Sequence, residues 1–410
     1  MLARRLAVAC ALVGACTPLQ PVSEDISEPP PGDLQPVPAD RDHTGRTLQL
    51  AAVSDEALAV RPLADGSVAV YGRGVLALAL GDAPLHSASE WRRGWPNEWV
   101  TAVGGRWPDH AFVSAVVSFT RTGMTYVVKR WRDRRWVDAP LAGAPPMLAY
   151  YSDFAVAQDG ALLGLRGRVD DPMLGGDLAA SQQTSIDRLD DGPPPPWPEL
   201  PKGLVADRLL TFADGSVIVV GIASAFTPSI HRWSPGARKW TALPPPPERG
   251  IQVPAFVVGR DPAGLYAYRC AIAGQPALDH MSQGTWQPFP QPEGGCITSL
   301  AEAPDGTLWL VNDRGLHRRP QGSAPWEAVP LAPVDAPGKP VAALPGAPEP
   351  PPPGPEPLVP QQVLALDRGE LWVVATLPDP KQERSRWAVL TTRTVIAPLH
   401  LPNLSERTGF

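Results

Sequence analysis

The sequence predicts an all-β chain, a seven-bladed β-propeller of four-stranded blades, and three observations carry the prediction. Pairs of short apolar runs are joined by tight turns seven times over. An aspartate marks each turn: Asp65, Asp109, Asp159, Asp214, Asp261, Asp305 and Asp367, spaced 44 to 62 residues apart. An Asp-Gly type turn between alternating apolar runs is a strong hairpin signal, because glycine takes positive φ without a Cβ clash. Several hairpins are followed by a second half built on tryptophan: Trp131 and Trp136, Trp233 and Trp240, then Trp286 and Trp326. Four strands in roughly 40–50 residues is the unit of a propeller blade. Composition is the third observation. Fifty-three prolines in 410 residues exclude a mainly helical chain, since each proline in a helix interior costs about 3 kcal/mol. Fourteen tryptophans and many Val/Leu runs exclude a wholly disordered one. A β-sandwich followed by a second β domain is the competing architecture, and the regular period speaks against it.

The chain opens MLARRLAVACALVGAC. Arg4 and Arg5 form a positive start, and Leu6 to Val13 is an apolar run far short of the ~20 residues a spanning helix needs. Residues 1–15 therefore read as a secretory signal. Val13-Gly14-Ala15-Cys16 resembles the bacterial lipobox, an aliphatic residue three before a cysteine with small residues between. The resemblance implies that Cys16 becomes a diacylglyceryl-modified N-terminus, and the alternative is an ordinary signal cut near Ala15. Thr17 in place of aspartate resembles lipoproteins sent to the outer membrane of Gram-negative cells. Residues 16–44 are the lipidated cysteine and a proline-rich acidic tether that cannot pack. Loss of Arg4 and Arg5 takes the formal charge of −6 to −8. A mildly acidic protein is not expected to bind nucleic acid or to seek anionic lipid by charge.

The propeller is expected over 45–403. Its hairpins are ALAVRPLADGSVAVYG, VTAVGGRWPDHAFVSAVV, FAVAQDGALLGL, LLTFADGSVIVVG, AFVVGRDPAGLYAY, SLAEAPDGTLWLV and VLALDRGELWVV. TLQL (47–50) or RTVIAPLHL (393–401) is expected to complete the ring between the first and last blades, removing the exposed edges. Cys270 ends the second strand of blade 5 and Cys296 enters blade 6. In an oxidising compartment a disulfide between them is expected, with two buried thiols as the alternative.

The KRW…RRW and HRW…RKW units resemble kelch repeats. PDGTLWLVNDRGLHR (304–318) resembles the repeats of sensor-type periplasmic propellers. The glycine doublets of kelch blades are mostly missing, with Gly104-Gly105 and Gly294-Gly295 irregularly placed, so only the fold is implied. Pro304-Asp305-Gly306-Thr307-Leu308-Trp309 comes near the Asp box of sialidase propellers with the wrong spacing.

No motif of catalysis stands out. The histidines at 43, 86, 110, 231, 280, 317 and 400 lack metal-ligand spacing, and there is no HExxH, P-loop, GxSxG or GxGxxG. Neither a metal nor another cofactor is expected. Asp40 to Gly45 imitates half a calcium loop, but its twelfth position is Ala51 where a glutamate is required. The recurring tryptophans read as packing between sheets, since a ligand site is singular.

The long connections mark the expected working face. Strand 2–3 loops and blade-to-blade connections share one end of a propeller. The stretches 168–185, 221–229, 378–386 and 331–360 are long there, while the turns at the other end are short. Asp170, Asp171, Asp177, Lys381, Arg384 and Arg386 are the candidate binding residues. The function expected is a lipid-anchored, monomeric binding or scaffold propeller of the envelope. It recognises an envelope protein or polysaccharide, and it touches the membrane through its lipid alone. A periplasmic propeller lyase or glycoside hydrolase with paired carboxylates at the channel mouth is the alternative.

Overall fold

The computed structural model describes residues 48–87, 89–96, 98–120, 123–139, 141, 149–169, 182–192, 197–212, 214–223, 227–248, 254–258, 264–272, 274–322, 325–331, 358–366, 369–377 and 386–401. Cys16 and the 1–15 signal lie outside them, as do the tether up to residue 47 and most of the 331–360 insertion.

Seven sheets follow one another along the chain, antiparallel but for one closing strand. After β1 (Gln49–Ser54), blade 1 contains β2 (Ala59–Pro62), β3 (Val68–Gly72) and β4 (Val75–Ala79). Blade 2 is β5 (Trp99–Arg106), β6 (His110–Thr120), β7 (Gly123–Arg132) and β8 (Arg135–Asp138). Blade 3 has β9 (Ala149–Val156), β10 (Leu162–Val169) and β11 (Gln182–Arg188). Blade 4 comprises β12 (Val205–Thr211), β13 (Val217–Ile222), β14 (Pro228–Trp233) and β15 (Thr241–Leu243). Blade 5 is made of β16 (Ala255–Val258), β17 (Leu265–Tyr268), β18 (Leu278–Ser282) and β19 (Thr285–Pro288). Blade 6 is formed by β20 (Ile297–Glu302), β21 (Leu308–Asn312), β22 (Gly315–Arg319) and β23 (Glu327–Val329). Blade 7 brings β24 (Val359–Ala365), β25 (Leu371–Leu377) and β26 (Arg386–Thr391), and β27 (Leu399–His400) ends the series.

The ring closes with both segments that the sequence offered. β1 pairs antiparallel with β26, Leu50 opposite Leu390 and Val53 opposite Ala388. β27 lies parallel to β1 on its far side. A strand from the beginning of the fold thus becomes the fourth strand of the last blade. Blades 1 and 3 hold three regular strands each among the described residues. In blade 1 an isolated bridge from Leu78 to His86 and a 3-10 turn, Ser89–Arg92, follow β4.

Seven buried apolar clusters lie at the seven blade-to-blade interfaces. Leu163, Leu165, Val217, Val219 and Trp233, for example, join blades 3 and 4. Each blade interior is apolar on both faces, which explains the Val/Leu runs in second strands: VIVV in β13 and LWLV in β21 are buried throughout.

The tryptophans pack, and they do so by one repeated device. The indole N–H of Trp136 donates to the Trp91 carbonyl (2.9 Å) and that of Trp240 to Pro198 (2.9 Å). The indole of Trp286 donates to Pro244 (2.8 Å) and that of Trp326 to Pro290 (2.7 Å). Each acceptor lies in the segment entering the blade, so the outer strand holds the incoming connection with the one polar atom of its large side chain.

The Asp-Gly turns are nearly superimposable in their bonding. Gly66, Gly160, Gly215, Gly306 and Gly369 donate to Leu63, Ala157, Phe212, Ala303 and Leu366 at 2.9–3.0 Å. All five glycines have φ between 72° and 82°. The carboxylates of Asp65, Asp159, Asp214 and Asp305 accept from the amide two residues on, at 2.9–3.3 Å. The form is a three-residue turn with a left-handed glycine, where the aspartate keeps an ordinary φ. By contrast, the β7–β8 turn at the same end is left-handed at both central residues, Asp133 (φ 50°) and Arg134 (φ 59°).

Cys270 and Cys296 form a disulfide. The flanking backbone pairs as well, Ala271 N–H to Gly295 O (2.7 Å) and Ile297 N–H to Arg269 O (3.1 Å). Blades 5 and 6 are stapled at the long-connection end.

Candidate channel-mouth site

The first strand of each blade lines the central channel and runs from the long-connection end towards the Asp-Gly end. Five of these strands skip one residue in their pairing: Thr101 in β5, Ser152 in β9, Asp207 in β12, Thr298 in β20 and Gln361 in β24. Each skipped residue stands five before the residue that begins its turn: Arg106, Ala157, Phe212, Ala303 and Leu366. A bulge of this kind bends the strand and re-aims a side chain. Here the bulges form a polar ring one layer inside the channel mouth.

Four members of the ring are neutral and bonded to backbone. Thr101 donates to Ser114 O (3.0 Å). Ser152 reaches Leu165 O at 3.2 Å and Ala206 O, in the next blade, at 3.4 Å. Thr298 donates to the Gln361 carbonyl (3.2 Å), and Gln361 to Val359 O (3.4 Å). The fifth member is charged. Asp207 is half-buried, and burial raises its pKa, opposed by the charge of Arg208 and by its own amide.

Aromatic residues from three blades stand at this end of the channel. Tyr126 of β7 stacks on Tyr150 of β9, with ring centroids 4.1 Å apart and planes at 18°. Burial pushes the Tyr126 phenol up to about 12. Tyr150 is raised by burial first, then by Tyr126 and by the Asp207 charge. Tyr268 at the end of β17 is raised by burial, with Arg208 opposing. Trp99 opens β5 and is 41% exposed. It lies opposite Val116, which lies opposite Tyr126, so Trp99 and Tyr126 share the face of blade 2 that looks towards blade 3.

One layer deeper, Arg61 of blade 1 pairs with the buried Asp153 of blade 3 and reaches Phe154 O (3.4 Å). Asp153 also accepts from its neighbour Phe154 N–H (3.0 Å) and from Leu209 N–H of blade 4 (2.9 Å). Burial pushes the Arg61 pKa down, and Arg208 adds to this while Tyr71 opposes it. Phe154, next to Asp153, packs against blade 2 where that blade has glycine: a Cβ on Gly104 would collide with the Phe154 side chain. Gly104 of the doublet that looked irregularly placed for a kelch blade thus gives blade 3 room to approach blade 2.

The expected binding residues fare differently. Asp170, Asp171, Asp177, Lys381 and Arg384 lie outside the described residues. Arg386 opens β26 and sits 3.5 Å from Asp55, just after the closing strand. The 221–229 stretch is corrected: β13 runs to Ile222 and β14 begins at Pro228, leaving five residues between strands because the alternating apolar pattern continues into them. Sequence reading missed Asp207 and Arg208. The signal was partial: counting back five from the turn gives the polar residues Thr101, Ser152, Asp207, Thr298 and Gln361 in five blades, but Leu58 in blade 1. An open groove of about 740 Å³, lined by Ile272, Pro288, Phe289 and Pro292, lies beside the disulfide and away from this cluster. Among the described residues, no three His, Cys, Asp or Glu gather as a metal site, and no helix is long and apolar enough to cross a membrane.

No family model matches the chain, and no curated protein does. Among solved structures it is similar to the extracellular domain of a one-component system of B. thetaiotaomicron, with 11% identity and a TM-score of 0.49. That likeness covers 88% of this chain and 40% of the other. A gluconolactonase of Xanthomonas campestris is 13% identical with a TM-score of 0.39, over 88% of this chain and 98% of that one. YCF48 from Cyanidioschyzon merolae is 13% identical with a TM-score of 0.44, over 83% and 98%. Likenesses of this size assign neither an activity nor a site residue.

Proposed function

We propose that the protein is a lipid-anchored binding propeller of the cell envelope, held to the outer membrane through Cys16. It recognises an envelope protein or polysaccharide at the long-connection end of its channel. The observation that carries the reading is Asp207-Arg208: two consecutive opposite charges at a bulge, half-buried, with Asp207 acted on by the Arg208 charge and its own amide. Such groups lose hydration on folding, and a polar ligand can replace the lost hydrogen bonds. A hydrolase working with two carboxylates is less well supported. Asp153, the nearby acid one layer down, is committed to Arg61 and two backbone amides.

The test immobilises the mature protein and measures capture of purified envelope polysaccharide and of envelope protein. Two variants are compared, Asp207→Asn/Arg208→Gln at the mouth and Asp133→Asn/Arg134→Gln/Arg135→Gln at the opposite end. Capture is expected to fall at least tenfold in the first and to persist in the second. Equal capture by both overturns the reading. For the anchor, Cys16→Ser should abolish palmitate labelling, and normal labelling of that variant refutes it.

A further inference from the structure

We infer that the ligand at the channel mouth is an uncharged polysaccharide of flat, β-linked pyranose rings, stacked on Trp99 and on the Tyr126–Tyr150 pair. This rests on the binding role proposed above and chooses polysaccharide over protein for the same end of the channel.

The platform is fixed by strand register and ring geometry. Trp99 lies opposite Val116 and Val116 opposite Tyr126, so the two aromatic side chains leave one face of blade 2 in one row, two strands apart. Two strand spacings are about 9.5 Å. Tyr126 stacks on Tyr150 of blade 3, with centroids 4.1 Å apart. Tyr150 in turn lies against β10 where that strand has glycine: a Cβ on Gly167 would come within 2.6 Å of the phenol ring. Blade 2 is also set apart by length. β6 and β7, of 11 and 10 residues, are the longest of the described strands. Val116 is level with the start of β5, and β6 continues past it to Thr120. Roughly 13 Å of hairpin therefore stands beyond the start of β5, a wall beside the mouth with Tyr126 near its base.

Size and charge select the ligand. Among the described residues the exposed large apolar side chains are Trp99, Ile272, Val359 and Ile396. They stand in blade 2, just after β17, at the start of β24 and just before β27, scattered around the ring. A protein partner covers about 800 Å² a side and centres on clustered apolar anchors. A sugar ring needs one aromatic face, which takes its axial C–H bonds while the hydroxyls stay at the edge. In a β-linked glucan of the cellulose type every second ring presents the same face. Two such rings span about two strand spacings, the separation of Trp99 and Tyr126. Asp207 and Arg208 sum to zero charge, which suits a ligand without net charge. Hydroxyls both donate and accept, so either side chain finds a partner in one.

The experiment is calorimetric titration of the mature protein with cellobiose, cellotetraose and maltotetraose. Cellotetraose reaches both stacking positions, cellobiose reaches one, and the α-linked maltotetraose curves away from a straight row. Cellotetraose is expected to bind at least tenfold more tightly than either. Trp99→Ala should bring cellotetraose down to the level of cellobiose, and Trp99→Tyr should restore most of the difference. Thermal unfolding of both variants checks that they fold. The three sugars on the unmodified protein decide the matter even where a variant does not. Equal affinity for all three overturns the inference, as does unchanged cellotetraose affinity in folded Trp99→Ala. Failure of all three to bind, while Asp207→Asn/Arg208→Gln loses capture of envelope protein, overturns the polysaccharide assignment and leaves the binding role standing. Cellotetraose bound as expected, with envelope capture indifferent to that pair, overturns the Asp207-Arg208 reading and leaves the stacking platform standing.

Discussion

The two ends of the same inner strands differ in what repeats. At the Asp-Gly end five turns repeat their backbone bonds, their glycine φ and, in four, the aspartate bond. At the other end five bulges repeat their position while the side chains change: Thr, Ser, Asp, Thr, Gln. A feature needed by every blade is a feature of folding. Asp207, the odd member of a repeated position, breaks the symmetry and marks one sector. The difference predicts that changes at the turn end alter stability and changes at the bulge end alter binding.

The largest expected effect is at the turn of blade 7. Glu370 ends that turn and is buried against Arg393, with Nη2 2.7 Å from Oε2. Arg393 also donates to Ala83 O of blade 1 (2.8 Å) and lies over the Trp372 ring. Glu370→Ala leaves a buried guanidinium without its anion, a change that costs about 3–5 kcal/mol. Urea unfolding measures it. A loss under 1 kcal/mol would remove stability from the turn side of the comparison.

The next effect isolates the turn backbone. Gly160 has φ +79°, and a Cβ there meets nothing within 4 Å. Gly160→Ala therefore tests left-handed strain without steric conflict and should destabilise by about 1 kcal/mol. Cellotetraose affinity should not change. A shift in affinity with stability unaltered would reverse the roles of the two ends.

Legibility in the sequence follows the same divide. Turns are written in residue types, because glycine takes the φ that they need without a Cβ clash, and six of the seven hairpins could be counted from an aspartate with a glycine, the seventh from Asp109 alone. The tryptophans could be assigned to packing because they recur. The bulges are written in register, which depends on the partner strand, so Asp207 looks like any polar residue at a strand's start until β12 is laid against β13. Loop length pointed to the same end of the propeller as the site proposed above. It did not point to the Asp207-Arg208 pair, because charge within a strand reveals its setting only when the neighbouring blades are in place.

Asp207 should lower stability in the absence of ligand. Burial raises its pKa, so the folded state holds the proton more tightly than the unfolded state. Below both pKa values the carboxyl contributes no difference. As pH rises past the unfolded value, about 3.9, the unfolded chain ionises first and the folded state loses ground until the raised pKa is passed. Asp207→Asn should match the unmodified protein in acid and exceed it at neutral pH by about 0.5 kcal/mol or more. Unfolding midpoints across pH 3–8 read this directly. A neutral-pH loss would show that the carboxylate stabilises the fold, which would place Asp207 with the turns.

The smallest effect is expected at the β7–β8 turn. Arg134 holds φ +59° and pairs with Glu90 at 3.1 Å, with both side chains more than half exposed. Arg134→Gly relieves left-handed strain of about 1 kcal/mol. It also gives the unfolded chain more freedom, a loss of roughly 0.5–1 kcal/mol, and removes an exposed ion pair worth about 0.2–1 kcal/mol. The terms oppose one another, so the net change should stay within about 0.5 kcal/mol, with cellotetraose binding and envelope capture both unmoved. A large change in either direction, read by urea unfolding and calorimetry on the same sample, would mean that Arg134 has a partner beyond Glu90 and that this end of the molecule does more than turn the chain.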